Sequence, residues 1–222
     1  MGRRSLGLAL TSLALVVPAS AHAAPKAQEA DPYKVLVVTS TSDALATAGV
    51  NAITQAVGAD GVVTAPPPAE VGAQFTPAGL DAYRTVVFLN TGMASPLNDA
   101  QRANFEAYFK KGGGFVGIGS AVETDSSWTF LTNLLGTRSA GQAGSQSGTI
   151  KVFDRVHDAS KNLPQYWERT EPYYNFTANV RGLSHVLATV VEKLYQDSVR
   201  SQYSGRFLLA SWTRSKTLIV PD

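Results

Sequence analysis

The sequence predicts an α/β fold in which a mostly parallel sheet lies between two layers of helices. Two observations support this prediction: short runs of β-branched and apolar residues recur along the chain, and segments with apolar residues at helical spacing separate them. A strand that is apolar at every position is typical of a parallel sheet buried on both faces. Right-handed crossovers arrange such an alternation into a doubly wound sheet.

Four buried strands are predicted in the first half of the chain. They are Lys34–Val38, Gly61–Ala65, Thr85–Asn90 and Phe115–Gly119. A residue able to cap a helix precedes each intervening segment with helical spacing. The predicted helical segments are Ala44–Val57 after Asp43, a short turn after Thr76, and a helix that begins at Asn98 or Asp99 and runs to Lys111.

The second half of the chain is less regular. A short helix is predicted over Ser127–Leu135, and the Gly/Ser/Gln-rich stretch Ser139–Gly148 is predicted to be a mobile loop. Thr149–Phe153 alternates between apolar and polar residues, which indicates a half-exposed strand, and His185–Val191 has the composition of a buried strand. There is no internal repeat, so one domain is expected.

The N-terminus has the pattern of a secretory signal. Arg3 and Arg4 precede an apolar run, and Ala21-His22-Ala23 provides the small residues that a signal peptidase requires. The apolar run, Leu6–Val17, is too short to span a bilayer, which takes about 20 residues. An uncleaved membrane anchor is the alternative. We expect a secreted protein, extracellular or periplasmic, with no membrane association after cleavage.

Three segments follow from this pattern. Residues 1–23 are the predicted signal peptide, residues 24–33 a flexible leader, and residues 34–222 the folded domain. The domain is long enough to bury a substantial core.

The whole chain has 19 basic and 17 acidic side chains, and removal of the signal leaves 17 of each. Nucleic-acid binding is therefore not expected, because no excess of positive charge is present to hold a phosphate backbone.

The absence of cysteine excludes a disulfide framework, a thiolate nucleophile and cysteine-ligated metal. A Ser-His-Asp triad is not expected either, because Ser120 lies in Gly-Ile-Gly-Ser-Ala and lacks the second glycine of a nucleophile elbow. Its partners would be Asp125 and either His157 or His185. No histidine pair at metal-ligand spacing is present, so no metal or cofactor is expected, with a loose calcium site on carboxylates as the alternative.

The carboxyl ends of the parallel strands are the expected ligand site. In open α/β sheets, ligands bind in the crevice outside these ends. Here they are the polar segments Thr39–Asp43, Asn90–Ser95 and Gly119–Asp125. We call this edge of the sheet the crest. The alternative is that these loops are polar only because they are exposed to water.

On the crest, Glu123 and Asp125 are the candidate catalytic pair. Two carboxylates can act as general acid and base, and Trp128 close behind them can stack on the apolar side of a sugar ring. The alternative is that the acids complement the dipole of the following helix and that Trp128 is a core residue. The candidate substrate-binding residues are Asn90, Thr91, Ser120, Trp128, Tyr174 and Asn175.

Four segments together give the sequence a family resemblance. They are Tyr83–Asn90 with Leu97–Gln101, Phe105–Gly117, Lys151–Asp158, and Arg169–Phe176 with Asn179–Gly182 and His185–Thr189. In their order and spacing the chain resembles the ThuA-like (trehalose-utilisation) family, which shares the fold of class I glutamine amidotransferases. The resemblance implies a flavodoxin-like three-layer sandwich and a role in carbohydrate metabolism, with a small-molecule carbohydrate, such as trehalose or a related glycoside, as the partner.

The chain departs from the family pattern at several positions. Gly119 stands where the family has a histidine and Glu123 where it has an aspartate, and Ser42-Asp43 replaces a turn that carries arginine and histidine. The pattern is expected to be truncated or divergent after about residue 195. Whether the protein is an enzyme is left open by these departures. The alternatives are a non-catalytic carbohydrate-binding or accessory module and a degenerate family member, and the oligomeric state is undetermined.

Overall fold

The computed structural model describes residues 32–92 and 95–191, together with the backbone of two strands over 207–212 and 215–220. The predicted signal peptide and most of the predicted leader lie outside the described residues. Tyr33, the last residue of the predicted leader, already begins the first strand. In the part of the chain that the structure describes, no helix has both the length and the apolar character needed to cross a membrane.

The described chain contains eleven strands. They are β1 (Tyr33–Thr39), β2 (Gly61–Thr64), β3 (Thr85–Leu89), β4 (Gly114–Ile118), β5 (Ser139–Gln142), β6 (Gln146–Val152), β7 (Tyr166–Glu171), β8 (Tyr174–Phe176), β9 (His185–Val190), β10 (Phe207–Trp212) and β11 (Ser215–Val220). Five α-helices accompany them. They are α1 (Ala44–Val57), α2 (Val71–Gln74), α3 (Pro77–Asp81), α4 (Asp99–Lys110) and α5 (Thr129–Leu135).

Nine of these strands form one sheet in the order β2-β1-β3-β4-β11-β10-β9-β6-β7. The strands from β2 to β11 in this order are parallel, and the remaining pairs are antiparallel. Strands β5 and β8 form a separate antiparallel ribbon. The predicted α/β fold is therefore confirmed, and the parallel strands β1 to β4 are those that alternate with helices.

Helices cover both faces of the parallel part of the sheet. On one face, α2 to α5 pack on Leu36, Val86 and Phe88 in a core rich in aromatic rings. On the other face, α1 packs through Val50 and Ile53 on the alternate residues of β1 and β3. Because successive side chains of a strand point to opposite faces, a strand that is apolar throughout supplies both cores. This arrangement is the three-layer sandwich that the sequence predicts.

The predicted helix starts are found at their capping residues. Asp43 Oδ1 accepts a hydrogen bond of 2.8 Å from the amide of Ala46, and Thr76 caps α3. At α4, Asn98 and Gln101 form a reciprocal capping box, so Asn98 rather than Asp99 is the cap. These bonds satisfy amide groups that the first helical turn leaves without a partner.

The prediction of a mobile loop over Ser139–Gly148 is wrong. This stretch contains β5 and the start of β6, which pair with β8 and β7. Gly148 is buried, and a Cβ atom at this position would lie 2.8 Å from the hydroxyl oxygen of Tyr173. Gly148 therefore serves close packing here. The segment becomes strand through pairing with residues distant in the sequence, which local composition does not reveal.

Candidate functional site

The turns after β1, β3 and β4 meet at the crest, as the topology predicts. Asn90 joins them: its carbonyl oxygen accepts a hydrogen bond of 2.8 Å from the Ser40 hydroxyl, and its side-chain oxygen accepts one of 3.1 Å from the amide of Ser120. Asn90 has a φ of 50°, a left-handed conformation that asparagine adopts more readily than most residues. Asn90 thus has a clear role in holding the crest together.

The hydroxyls of Thr91 and Ser120 are also hydrogen-bonded to other groups of the protein. The hydroxyls of Thr91 and Thr124 are hydrogen-bonded to each other, and Thr91 is only 1% exposed. The Ser120 hydroxyl accepts a hydrogen bond of 3.1 Å from the amide of Gly92. Both residues therefore connect the loop after β3 to the turn after β4, which positions the segment that carries Glu123.

Asp125 is held by residues around it. Its Oδ2 forms an ion pair with Arg102 Nη2, and its Oδ1 accepts hydrogen bonds from the amide and hydroxyl of Ser127. The Ser127 hydroxyl contributes most to a pKa of Asp125 below the ordinary aspartate value, and the Ser127 amide and the Arg102 charge add to it. Asp125 is therefore ionised at neutral pH and is poorly suited to donate a proton.

Trp128 packs in the core. It is 4% exposed, its ring contacts Phe88 and Phe105, and its indole nitrogen donates a hydrogen bond of 3.1 Å to Glu106 Oε1. The Arg102 guanidinium lies 5.7 Å from the ring centroid. A ring so enclosed has no open face for a sugar, so this geometry favours the core role for Trp128 over the stacking role.

Glu123 lies beside a cavity of about 400 Å³. Its Oε1 accepts a hydrogen bond of 3.2 Å from the hydroxyl of Ser139, which belongs to β5. The cavity is at the carboxyl end of β4, next to the β5–β8 ribbon. We call it the Glu123 cavity, and its lining residues are Val122, Glu123, Thr124, Ser126, Thr132, Leu135, Arg138, Ser139, Gly141 and Thr177.

The lining of the Glu123 cavity suits a small polar ligand. It combines one carboxylate, one guanidinium and several hydroxyls with the apolar side chains of Val122 and Leu135. Its volume lies within the range of about 300–1,000 Å³ that is usual for small-molecule sites. Asp125 is not part of this lining, so the structure does not bring the two predicted catalytic carboxylates to the same cavity.

Tyr174 and Asn175 lie on β8, whose strand partner β5 carries Ser139 into the cavity lining. Asn175 is 5% exposed, and its side-chain oxygen is buried without a hydrogen-bond partner among the described residues. Tyr174 is half-buried and pairs with Gln142. Neither residue lines the Glu123 cavity, although the ribbon to which both belong forms one of its sides.

Sequence reasoning missed several residues of the cavity. Thr132, Arg138, Ser139 and Thr177 come from α5, from the connection that follows it and from the ribbon. Ser139 begins the stretch that composition assigns to a loop, so its placement beside Glu123 was not visible. The only available signal was the density of small polar residues after α5.

The two histidines of the predicted domain lie at the opposite end of the sheet from the crest. His185 begins β9, which runs parallel to β4, and its Nε2 is 3.0 Å from Asp154 Oδ2. The ring of His157 lies 5.9 Å from that of His185. Backbone amides of Val156 and His157 lower the pKa of Asp154. Neither His157 nor His185 therefore lies beside Ser120.

Possible metal ligands are scattered. Over the described ranges, no group of three or more histidine, aspartate or glutamate side chains is arranged to hold a metal ion. The carboxylates proposed for a calcium site are separated, because Glu123 and Asp125 lie at the crest and Asp154 and Asp158 at the opposite end. The chemistry available at the crest is therefore that of a carboxylate, a guanidinium and hydroxyls.

The sheet and its crest define an α/β protein of the doubly wound class, in which ligands bind at the carboxyl ends of the strands. Residues 34–218 match the model of the ThuA family, described as trehalose utilisation. The chain belongs to this family, and the resemblance predicted from the sequence is confirmed. No curated protein gives a significant match to the sequence.

Solved structures with a similar fold include two ThuA-like proteins. One from Bacteroides uniformis has a TM-score of 0.71 at 19% identity, over 89% of this chain and 85% of that chain. One from Parabacteroides merdae has a TM-score of 0.63 at 16% identity, over 86% and 78%. A GMP synthase subunit from Thermoplasma acidophilum has a TM-score of 0.50 at 11% identity, over 85% and 82%. At these identities the likeness shows the fold alone.

Proposed function

We propose that the protein is exported and binds or transforms trehalose or a related glycoside in the Glu123 cavity. The observation that carries this proposal is a carboxylate, held by Ser139, beside a hydroxyl-lined cavity of about 400 Å³ at the carboxyl end of β4. The family to which the chain belongs supports a sugar as ligand. The signal pattern of residues 1–23 supports export.

The lining of the cavity explains how a sugar would be recognised. The Glu123 carboxylate accepts hydrogen bonds from ring hydroxyls, and the hydroxyls of Ser139, Thr132 and Thr177 can donate or accept. Val122 and Leu135 offer apolar surface to the carbon atoms of the ring. Such a site orients its ligand through a few well-placed polar groups next to apolar surface.

A binding module is the second candidate, and the contacts of Asp125 favour it. Glycoside hydrolysis usually requires two carboxylates on either side of the scissile bond. Asp125 is occupied by Arg102 and Ser127 and does not line the cavity. If the protein is an enzyme, Glu123 is the residue that can act as its general acid or base, with no second carboxylate in the lining.

Isothermal titration of the purified protein with trehalose, glucose and simple glycosides tests the proposal. Glu123→Gln keeps the size of the side chain and removes the charge, so it should weaken sugar binding at least about tenfold. Glu70→Gln, at an exposed acid in the turn after β2, is the matched control and should bind like the wild type. Failure of every sugar to bind, or an unchanged affinity in Glu123→Gln, would overturn the proposed site.

Export is tested separately by expression of the full chain. We expect the secreted or periplasmic fraction to contain a protein that begins at Ala24, as determined by intact mass. Replacement of Arg3 and Arg4 by glutamate should retain the unprocessed chain inside the cell, because a signal requires a positive start. A full-length protein that is retained in the cytoplasm of a host with an active secretion system would contradict the expectation.

A further inference from the structure

The backbone around Arg138 is fixed at the edge of the Glu123 cavity. The amide of Arg138 donates a hydrogen bond of 3.2 Å to the Thr177 hydroxyl, and its carbonyl oxygen accepts one of 3.0 Å from the amide of Thr177. Next to it, the Thr137 hydroxyl accepts a hydrogen bond of 3.1 Å from the amide of Ala178. These bonds connect the end of α5 to the end of β8, so the base of the Arg138 side chain has a defined position.

The guanidinium of Arg138 has no protein partner among the described residues. Three other arginines of the described chain are engaged: Arg102 is paired with Asp125, Arg169 with Glu171, and Arg84 lies over the Tyr33 ring. Arg138 instead lines the cavity and is exposed to solvent. A guanidinium left unpaired at the edge of a cavity is available to a ligand.

Glu123 and Arg138 carry opposite charges on one cavity without forming an ion pair with each other. The Glu123 carboxylate accepts a single hydrogen bond, from Ser139. The Arg138 guanidinium can only donate hydrogen bonds, and among the described residues no group accepts one from it. The cavity therefore has an acceptor side and a cationic side. A ligand that matches both sides has hydroxyls at one end and an anionic group at the other.

We propose that the ligand of the Glu123 cavity is an anionic sugar, whose carboxylate or phosphate binds Arg138 while its hydroxyls bind Glu123 and Ser139. This inference rests on the proposed function and narrows it. The planar fork of a guanidinium matches two oxygens of a carboxylate or a phosphate at once, which makes Arg138 the residue that determines specificity. Neutral glucose makes the same hydroxyl contacts but leaves the guanidinium without an anion.

Titration of the full protein with glucose, trehalose, glucuronate and glucose 6-phosphate tests the inference. We expect at least one of the two anionic sugars to bind about tenfold or more tightly than glucose, because charge-assisted hydrogen bonds are the stronger ones. Arg138→Gln should abolish that advantage, so that the anionic sugars bind no more tightly than glucose. Arg155→Gln is the matched control, because Arg155 is also exposed but lies at the opposite end of the sheet.

The two anionic sugars distinguish a carboxylate from a phosphate as the bound group. Neutral sugars that bind as tightly as both anions, or an anion preference that persists in Arg138→Gln, would overturn the inference and leave the proposed function standing. Inorganic phosphate that binds as tightly as glucose 6-phosphate would also overturn it, because the sugar would then contribute nothing. If no sugar of either kind binds, the proposed function fails together with the inference.

Discussion

Glu123 and Asp125 are two residues apart in the sequence but belong to different regions of the molecule. Asp125 lies among Arg102, Ser127 and the aromatic core, and its oxygens are taken by protein donors. Glu123 lies beside an open cavity and has one hydrogen bond, from Ser139. The difference shows that of two similar acids at one end of a strand, one can be enclosed by protein groups and the other can line a cavity.

The partners of the two acids explain the difference. Arg102 comes from α4, and its Nε is also hydrogen-bonded, at 3.1 Å, to the carbonyl oxygen of Leu97. It is therefore fixed where it meets Asp125, and the ion pair is mostly enclosed, with the Asp125 side chain 14% exposed. On the other side, the Glu123 cavity is lined both by residues that follow β4 and by Ser139 and Gly141 of the β5–β8 ribbon. Packing, rather than residue type, decides which acid faces the cavity.

The largest expected effect is on the stability of the Asp125 region. Trp128→Ala removes a buried indole from the aromatic core and should lower the free energy of unfolding by about 3–5 kcal/mol. Chemical denaturation followed by fluorescence measures this loss. Trp128→Phe keeps most of the packing but loses the bond to Glu106, so it should cost about 1 kcal/mol.

The same variants show whether Trp128 is a core residue or stacks on a bound sugar. Trp128→Phe should retain wild-type sugar affinity, because the ring does not reach the Glu123 cavity. A loss of sugar binding in Trp128→Phe at unchanged fold would show that the ring faces the ligand and would contradict the core role assigned to it.

A smaller effect is expected from Asp125→Asn. Loss of the charge removes the closer of the two carboxylates that pair with the partly buried Arg102, the other being the exposed Asp99 at 3.5 Å. The free energy of unfolding should therefore fall by about 1–3 kcal/mol at pH 7. Sugar affinity should be unchanged, in contrast to the loss expected for Glu123→Gln. Equal loss of sugar binding in Asp125→Asn and Glu123→Gln would show that the two acids act as a pair.

The pH dependence of the Asp125→Asn effect follows from the lowered pKa of Asp125. A carboxyl group with a lower pKa in the folded than in the unfolded state contributes stability above the unfolded value, which is about 3.9. This contribution is lost as the pH falls through the folded pKa. The difference in unfolding free energy between wild type and Asp125→Asn should therefore be constant near neutrality and shrink below about pH 4, as urea denaturation at each pH would show.

Much of the fold was predictable because its signals are local. Asp43, Thr76 and Asn98 cap helices through residues three positions away, and a run such as Thr85–Leu89 needs no partner to be recognised as a buried strand. The turn at Asn90 was also placed correctly, because the carboxyl ends of parallel strands meet at one edge.

The candidate site was harder to predict because its contacts connect distant residues. Arg102 reaches Asp125 from another helix, and Ser139 reaches Glu123 from a ribbon whose partner strand begins at Tyr174. Nothing in the local pattern around Glu123 or Asp125 specifies these partners. Sequence reasoning found the acids, and only the packing of α4 and the ribbon separates their roles.

The smallest expected effect concerns Ser139, which holds the carboxylate of Glu123. Ser139→Ala removes the partly buried hydrogen bond to Glu123 and the exposed one that the hydroxyl accepts from the Gly141 amide. It should lower the free energy of unfolding by about 0.5–1.5 kcal/mol. Sugar affinity should fall several-fold, less than in Glu123→Gln, because the carboxylate remains but is no longer held in one orientation. Ser147→Ala is the matched control, because the Ser147 hydroxyl contacts Glu168 away from the cavity. Titration of both variants with sugar compares their losses of affinity. If Ser147→Ala weakens sugar binding as much as Ser139→Ala, the loss reflects general destabilisation, and the Glu123 cavity has no special dependence on the ribbon.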